Sequence, residues 1–270
     1  MQVAPGTFAI LNATEDSFSD GGKYLVPDVA VARARQLIED GADVIDVGAA
    51  ASNPDAIAVP PAEEVRRLAP IIAAVPRDRL SIDTFAPETQ AWALTQGVAW
   101  LNDIQGFPEP ALYKDIARSD VRLVVMHNVA PRGQARLIDT DPATIFDRLY
   151  AFFDDRLAAL ERAGIARARM VIDPGMGFFL GTNPEVSLTV LRRLSELKAR
   201  YRLPLLVSVS RKSFIRKLAN VSVADAGSAT LAAELYAAAQ GADWLRTHDV
   251  AAFKRALAVW SALHERPRKP

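Results

Sequence analysis

Short, apolar, β-branched runs recur along the chain and alternate with longer amphipathic stretches. The runs are Thr7–Asn12, Asp43–Gly48, Leu80–Thr84, Ala99–Asp103, Leu123–His127, Met170–Asp173, Leu205–Ser210 and Trp244–His248. Their apolar residues follow one another without polar alternation, so each run predicts a strand buried on both faces, as in a parallel sheet. Between them, Val29–Asp40, Ala62–Ala74, Pro87–Gln96, Ala143–Ala163, Pro184–Tyr201, Ala226–Gln240 and Ala251–Leu263 predict helices. The longest places Leu149, Phe153, Leu157 and Leu160 on one face. Prolines open several of these stretches, and Gly41, Gly97, Gly164 and Gly241 close others. The phrase Gly-Ala-Asp marks two helix-to-strand turns, at Gly41–Asp43 and Gly241–Asp243. Eight strands alternating with helices predict an α/β protein, a (β/α)8 TIM barrel forming a single domain over residues 1–270, in preference to an open doubly wound sheet.

A barrel gathers its chemistry at the C-terminal ends of the strands. Those ends carry Asn12, Asp46, Asp83, Asn102 with Asp103, His127, Asp173, Ser210-Arg211-Lys212, and Arg246 with His248. Any one of them alone could merely satisfy loop backbone. A ring of them is not needed for stability and predicts a ligand site. Met170–Gly181 is the most informative stretch, because its strand ends on Asp173 and is stopped at once by Pro174 and Gly175. A carboxylate buried there needs partners, since an unpaired charge out of water costs several kcal/mol. Phe178 and Phe179 follow in a loop, where an apolar pair predicts core or pocket wall.

Composition narrows the function classes. A chain of 270 residues, half of them hydrophobic, is large enough for one sizeable core. Lys plus Arg (32) equals Asp plus Glu (32), so no net field draws it to nucleic acid or membrane, and any anion site must be local. With no cysteine, disulfides, thiolate catalysis and cysteine-ligated zinc are excluded. The N-terminus lacks the basic-then-apolar pattern of a signal peptide, and no apolar run approaches the roughly 20 residues that span a bilayer. A cytoplasmic protein is expected, and the basic tail His264–Pro270 reads as a solvated end.

The residues at the strand ends come with distinctive neighbours. Ile10–Gly22 (ILNATEDSFSDGG) resembles the first-strand motif of the dihydropteroate synthases. So do Gly41–Gly48, Ser81–Thr84, Leu101–Ile104, Val125–His127, Ile172–Phe178, Ser210–Phe214 and Arg246–His248, in family order from about residue 7 to about residue 250. The resemblance implies an enzyme that joins p-aminobenzoate to 6-hydroxymethyl-7,8-dihydropterin diphosphate, giving 7,8-dihydropteroate and diphosphate. It places Asp83, Asn102, Asp173 and Lys212 on the pterin ring, with Met126 packing nearby. Asn12, Arg246 and His248 fall on the diphosphate, where Asn12 helps hold Mg2+, the one cofactor implied. Ser52, Phe178, Phe179, Arg211 and Ser213 fall on the arylamine side. The partners implied are these small molecules and a second copy of the chain in a homodimer. The residue types suit the chemistry: a carboxylate accepts from the pterin's donor edge and stabilises a developing cation, while Arg246 and His248 offer charge-assisted hydrogen bonds to a leaving anion.

Two stretches depart from the family pattern. The second loop, usually Gly-Gly-Glu-Ser-Thr-Arg-Pro-Gly, reads Gly48-Ala49-Ala50-Ala51-Ser52-Asn53-Pro54-Asp55, with Asn53 in place of a phosphate-binding arginine. The loop after the sixth strand, Gly177–Glu185, is about two residues longer by alignment and carries the additional Phe179. Both changes resemble the sulfonamide-insensitive branch of the family, which implies an arylamine pocket that admits p-aminobenzoate and rejects the bulkier drug. Four other readings compete: an ordinary sulfonamide-sensitive synthase in which the longer loop is neutral, a methyltetrahydrofolate-binding methyltransferase on the same barrel, a lysine Schiff-base aldolase using Lys212, and a non-catalytic pterin binder.

Overall fold

The computed structural model describes residues 4–14, 26–130 and 133–264. The stretch Glu15–Gly22 of the first motif, Pro131 in the fifth loop and the tail beyond His264 lie outside the described residues. Eight strands are present: β1 (Gly6–Asn12), β2 (Val44–Gly48), β3 (Leu80–Asp83), β4 (Trp100–Asp103), β5 (Arg122–Met126), β6 (Met170–Asp173), β7 (Leu206–Val207) and β8 (Trp244–Thr247). They pair in parallel in the order β6-β5-β4-β3-β2-β1-β8-β7. A parallel bridge between Ile172 and Leu205, with the Ile172 amide donating to the Pro204 carbonyl at 3.0 Å, closes the ring. The expected (β/α)8 barrel is therefore the fold, and the open sheet is not.

Alternate strand residues face inward. Near the N-terminal ends these are Phe8, Val44, Trp100, Val124, Val171 and Leu206, which form a closed apolar cluster with Trp244 against it. The rings of Phe8, Trp100 and Trp244 meet edge to face at centroid distances of 5.2, 5.2 and 5.6 Å. A Cβ at Gly6 would overlap the Trp244 ring, so this floor admits no side chain there. Two residues further along, the inward positions turn polar: Asp46, Asn102, Asp173, Ser208 and Arg246. The outward residues, among them Leu11, Val47, Ile82, Leu101 and Leu245, join the large core under the helices.

The helices are α1 (Pro27–Glu39), α2 (Pro61–Ala74), α3 (Pro87–Thr95), α4 (Tyr113–Arg118), α5 (Ile145–Arg162), α6 (Pro184–Arg192), α7 (Leu194–Tyr201), α8 (Ser213–Ala219), α9 (Gly227–Ala239) and α10 (Val250–His264). The two Gly-Ala-Asp turns share one mechanism. Gly41 and Gly241 take positive φ (94° and 100°) to leave the helix. The aspartate that follows accepts from a neighbouring strand: Asp43 from the Thr7 amide at 2.8 Å, Asp243 from the Leu205 amide at 2.7 Å. Three expectations differ from the structure. The helix expected over Pro184–Tyr201 breaks at Arg193, whose guanidinium lies 3.8 Å from the centroid of the Phe146 ring. The seventh strand narrows to Leu206–Val207, because Ser208 and Ser210 leave the ladder to line the cavity. Helices α4 and α8 were not anticipated; at six and seven residues they are too short to show a period.

Candidate active site

Arg246 is the hub of the site. It enters from β8, where its Nε donates to Asp46 on β2 and its second Nη to Asp83 on β3. Asn102 on β4 donates to the same Asp46 oxygen at 3.2 Å. The guanidinium thus binds two carboxylates from adjacent strands in the fork geometry that suits arginine. Burial works against the Arg246 charge, but Asp46 and Asp83 outweigh it and hold its pKa above the ordinary value. Burial pushes Asp83 up to about 7, against the pull of Arg246. The other Asp46 oxygen and the Asn102 amide oxygen are buried without a hydrogen-bond partner among the described residues. Such acceptors are costly to leave unpaired, which favours a ligand that brings donors.

Asp173 and Lys212 form the second group. Asp173 is buried at the end of β6, where one of its oxygens accepts from the Gly175 amide at 2.8 Å. Gly175 has φ 67°, and a Cβ there would strike the His127 carbonyl oxygen, so the turn that presents Asp173 requires glycine. Burial pushes Asp173 up to about 6 and Lys212 down to about 8. The Lys212 ammonium lies 4.9 Å from the centroid of the Phe179 ring. His127 has a structural part: its Nδ1 is 3.1 Å from the Pro174 carbonyl, and burial lowers its pKa to about 4.

A cavity of about 360 Å3 opens over these groups. Of the residues singled out from the sequence, Asn12, Ser52, Asp83, Phe178, Phe179, Arg211, Lys212, Ser213, Arg246 and His248 line it. Asn102, Met126 and Asp173 are buried and are not among its lining residues. Asn102 is linked to Arg246 through Asp46, and Met126 packs with Ile104, Ala135 and Phe179. His248 Nδ1 is 2.9 Å from the Ser210 hydroxyl. Burial, then the nearby Arg211, Arg246, Lys212 and Arg33, hold its pKa well below the ordinary value. His248 thus stands at the cavity wall beside Ser210, among cationic neighbours. Arg211 also lines the cavity, and its amide donates to the Thr230 hydroxyl at 3.1 Å. Phe178 and Phe179 occupy a short 3-10 turn, Gly177–Phe179, with Phe179 buried.

Asp43 and Asp103 are structural. Asp43 binds Thr7 and Lys254, while Asp103 faces outward and accepts from Gln90 and the Gln105 and Phe107 amides. The sequence includes Asp46 in the ring of polar strand ends without assigning it a role. It stands in mid-strand, and its importance shows only when the barrel brings Arg246 to it. The available signal was register, since Asp46 shares the inward parity of Asn12 and Asp83.

The chain matches the family described as pterin binding enzyme over residues 8–248. It is 54% identical to the Escherichia coli dihydropteroate synthase type-2 over 263 residues, which is 97% of each chain. Among solved structures, it superposes on the Xanthomonas albilineans dihydropteroate synthase with 4-aminobenzoic acid at a TM-score of 0.85, with 36% identity over 98% of this chain and 95% of that one. It superposes on the Yersinia pestis dihydropteroate synthase in a sulfonamide drug complex at a TM-score of 0.88, with 33% identity over 96% and 94% of the two chains.

Proposed function

The chain belongs to the dihydropteroate synthase family of transferases, and from that premise we propose how its residues carry out the condensation and exclude a drug. The pterin ring sits over the polar inward layer. Asp173 and the unpaired oxygens of Asp46 and Asn102 accept from its donor edge, Lys212 donates to its acceptor edge, and Met126 packs beneath the turn that carries Asp173. The observation that carries this placement is the pair of buried, unpartnered acceptors, which a ring rich in N–H donors satisfies.

The reaction breaks the bond between the pterin methylene carbon and diphosphate oxygen, whose electron pair leaves with diphosphate. The arylamine nitrogen then forms the new C–N bond and gives up a proton. Positive charge develops at the methylene carbon while Asp46, Asp83 and Asp173 stand below it, preorganised in a site shielded from water. Arg246 and His248 hydrogen-bond the departing diphosphate. No nucleophilic side chain is required. Among the described residues no group of three or more acidic, histidine or cysteine side chains converges to cage a metal. Mg2+ prefers oxygen ligands and is often shared between one or two side chains and phosphate. The Asn12 amide, lining the cavity, is the group that would hold it, and the ion would neutralise charge on the diphosphate.

On the arylamine side, Phe178 and Phe179 narrow the wall. A sulfonamide carries a tetrahedral sulfonyl group and a substituent where p-aminobenzoate carries a planar carboxylate. A wall that touches only the protruding part penalises the drug alone, and each 1.4 kcal/mol or so is worth tenfold in affinity. The buried, packed state of Phe179 supports a fixed wall over a loose insertion. The test is diphosphate release from pterin diphosphate and Mg2+, with and without p-aminobenzoate, across a sulfonamide titration. Release should depend on p-aminobenzoate and persist at drug concentrations well above substrate. Deleting Phe179 with one neighbour should restore inhibition; unchanged inhibition would refute the wall. We place a homodimer contact on α9 and α10, where Tyr236, Val259 and Leu263 are exposed.

A further inference from the structure

The charged residues lining the cavity are Asp55, Asp83, Arg211, Lys212, Arg216 and Arg246. Arg246 is engaged by Asp46 and Asp83, and Lys212 lies among Asp173, Asp83 and the Phe179 ring. Arg216 has no such engagement. It stands on α8 three residues after Ser213, so the two share a helix face, and both line the cavity. Among the described residues no ion pair or side-chain hydrogen bond holds it, and its Nε is buried without a partner. A buried guanidinium N–H left unpaired is costly, and an anionic ligand relieves it.

We propose that Arg216 is the counter-ion of the arylamine carboxylate, a binding residue that selects p-aminobenzoate by charge. The inference rests on the condensation set out above. The amine of p-aminobenzoate must reach the methylene carbon over the carboxylate floor. Its carboxylate is at the far end of a rigid ring, so it points away from the floor, toward the partly exposed lining residues Ser213, Arg216 and Val223. A guanidinium offers a planar carboxylate two parallel donors. A sulfonamide's sulfonyl oxygens share no full negative charge and accept more weakly from the same donors. Arg216 therefore adds an electrostatic preference for substrate to the steric wall of Phe178 and Phe179.

The test compares p-aminobenzoate with its uncharged analogue p-aminobenzamide in steady-state assays of the wild type, Arg216→Met and Arg216→Lys. Arg216→Met should raise KM for p-aminobenzoate about tenfold or more, the scale of a lost charge-assisted hydrogen bond. It should leave kcat, and KM for the amide, within about twofold. Arg216→Lys should recover part of the loss, and inhibition by free diphosphate should not move. Equal shifts for both amines, no shift for either, or a shift in diphosphate inhibition instead would overturn the assignment. These failures are distinct from failure of the condensation itself, which would show as wild-type protein releasing no diphosphate in response to p-aminobenzoate. Should Arg216→Met not fold, Arg216→Gln makes the same comparison.

Discussion

Glu234 on α9 is fully buried, and neither of its carboxyl oxygens has a partner of good geometry among the described residues. Its neighbours are the Thr247 hydroxyl, the Asp249 carboxylate and the Arg211 guanidinium. Burial pushes its pKa up to about 8, Asp249 adds to this, and Thr247 and Arg211 oppose it. The folded protein therefore holds this proton over a window, from about 4.3 to about 8, in which the unfolded chain has lost it. Within that window the unfolded state binds fewer protons, so stability falls as pH rises and levels off above about 8. Glu234→Gln keeps the shape and removes the ionisation. It should melt higher than the wild type near pH 9, with a smaller difference near pH 5; an equal difference at both would show that Glu234 does not titrate. Individual residues were unevenly legible in the sequence. Asp173, Lys212 and Arg246 announced themselves by lying at strand ends, where a barrel does its chemistry. Glu234 and Arg216 did not, and Asp46 stood in the ring without a role, because the significance of each depends on a partner, or the lack of one, that only the closed barrel defines.

The loops act as one braced unit. The Ala135 amide donates to the Ser52 carbonyl at 2.9 Å, which ties the β5–α5 loop to the β2–α2 loop. The Val129 amide donates to the Phe179 carbonyl at 3.0 Å, the Thr182 amide to Ile138 at 2.9 Å, and the Thr140 hydroxyl to the Leu180 carbonyl. A Cβ at Gly181 would collide with Thr140, so the two loops meet there with no space between them. Within the β5–α5 loop, Ile138 and Thr140 are thus a strut for the loop that follows the Phe178–Phe179 turn. Thr140→Val keeps the volume and removes the donor. It should lower the sulfonamide inhibition constant by about tenfold and change KM for p-aminobenzoate much less. A parallel change in both would mean that the strut serves stability alone. Strands were easier to read than loops because a run buried on both faces leaves its mark within five residues, whereas a brace between loops far apart in sequence leaves none.

At the scale of the whole molecule, the formal charges cancel while the cavity gathers Arg211, Lys212, Arg216 and Arg246 against Asp55 and Asp83. Anion recognition is therefore a property of the barrel mouth and not of the surface at large. On the outside, Val259 and Leu263 stand one turn apart on α10 and are 63% and 77% exposed, which an isolated barrel does not need. Val259→Asp should convert a dimer into monomers in sedimentation velocity, with activity per chain retained; a wild type that sediments as a monomer would refute the contact. The site itself is divided. Apart from Lys212, the groups assigned to the pterin stand on strands, and several are bonded across the ring, Asp46 to Arg246 and Asn102, Asp83 to Arg246. Much of the arylamine wall stands on loops. Lengthening a loop leaves those cross-strand bonds intact, whereas replacing Asp46 or Arg246 strands its partner in the interior. An inhibitor shaped like the arylamine thus meets the half of the site that is free to be rewritten. One shaped like the pterin would meet residues that the protein can change only by weakening its own barrel, and escape from it would carry a folding penalty.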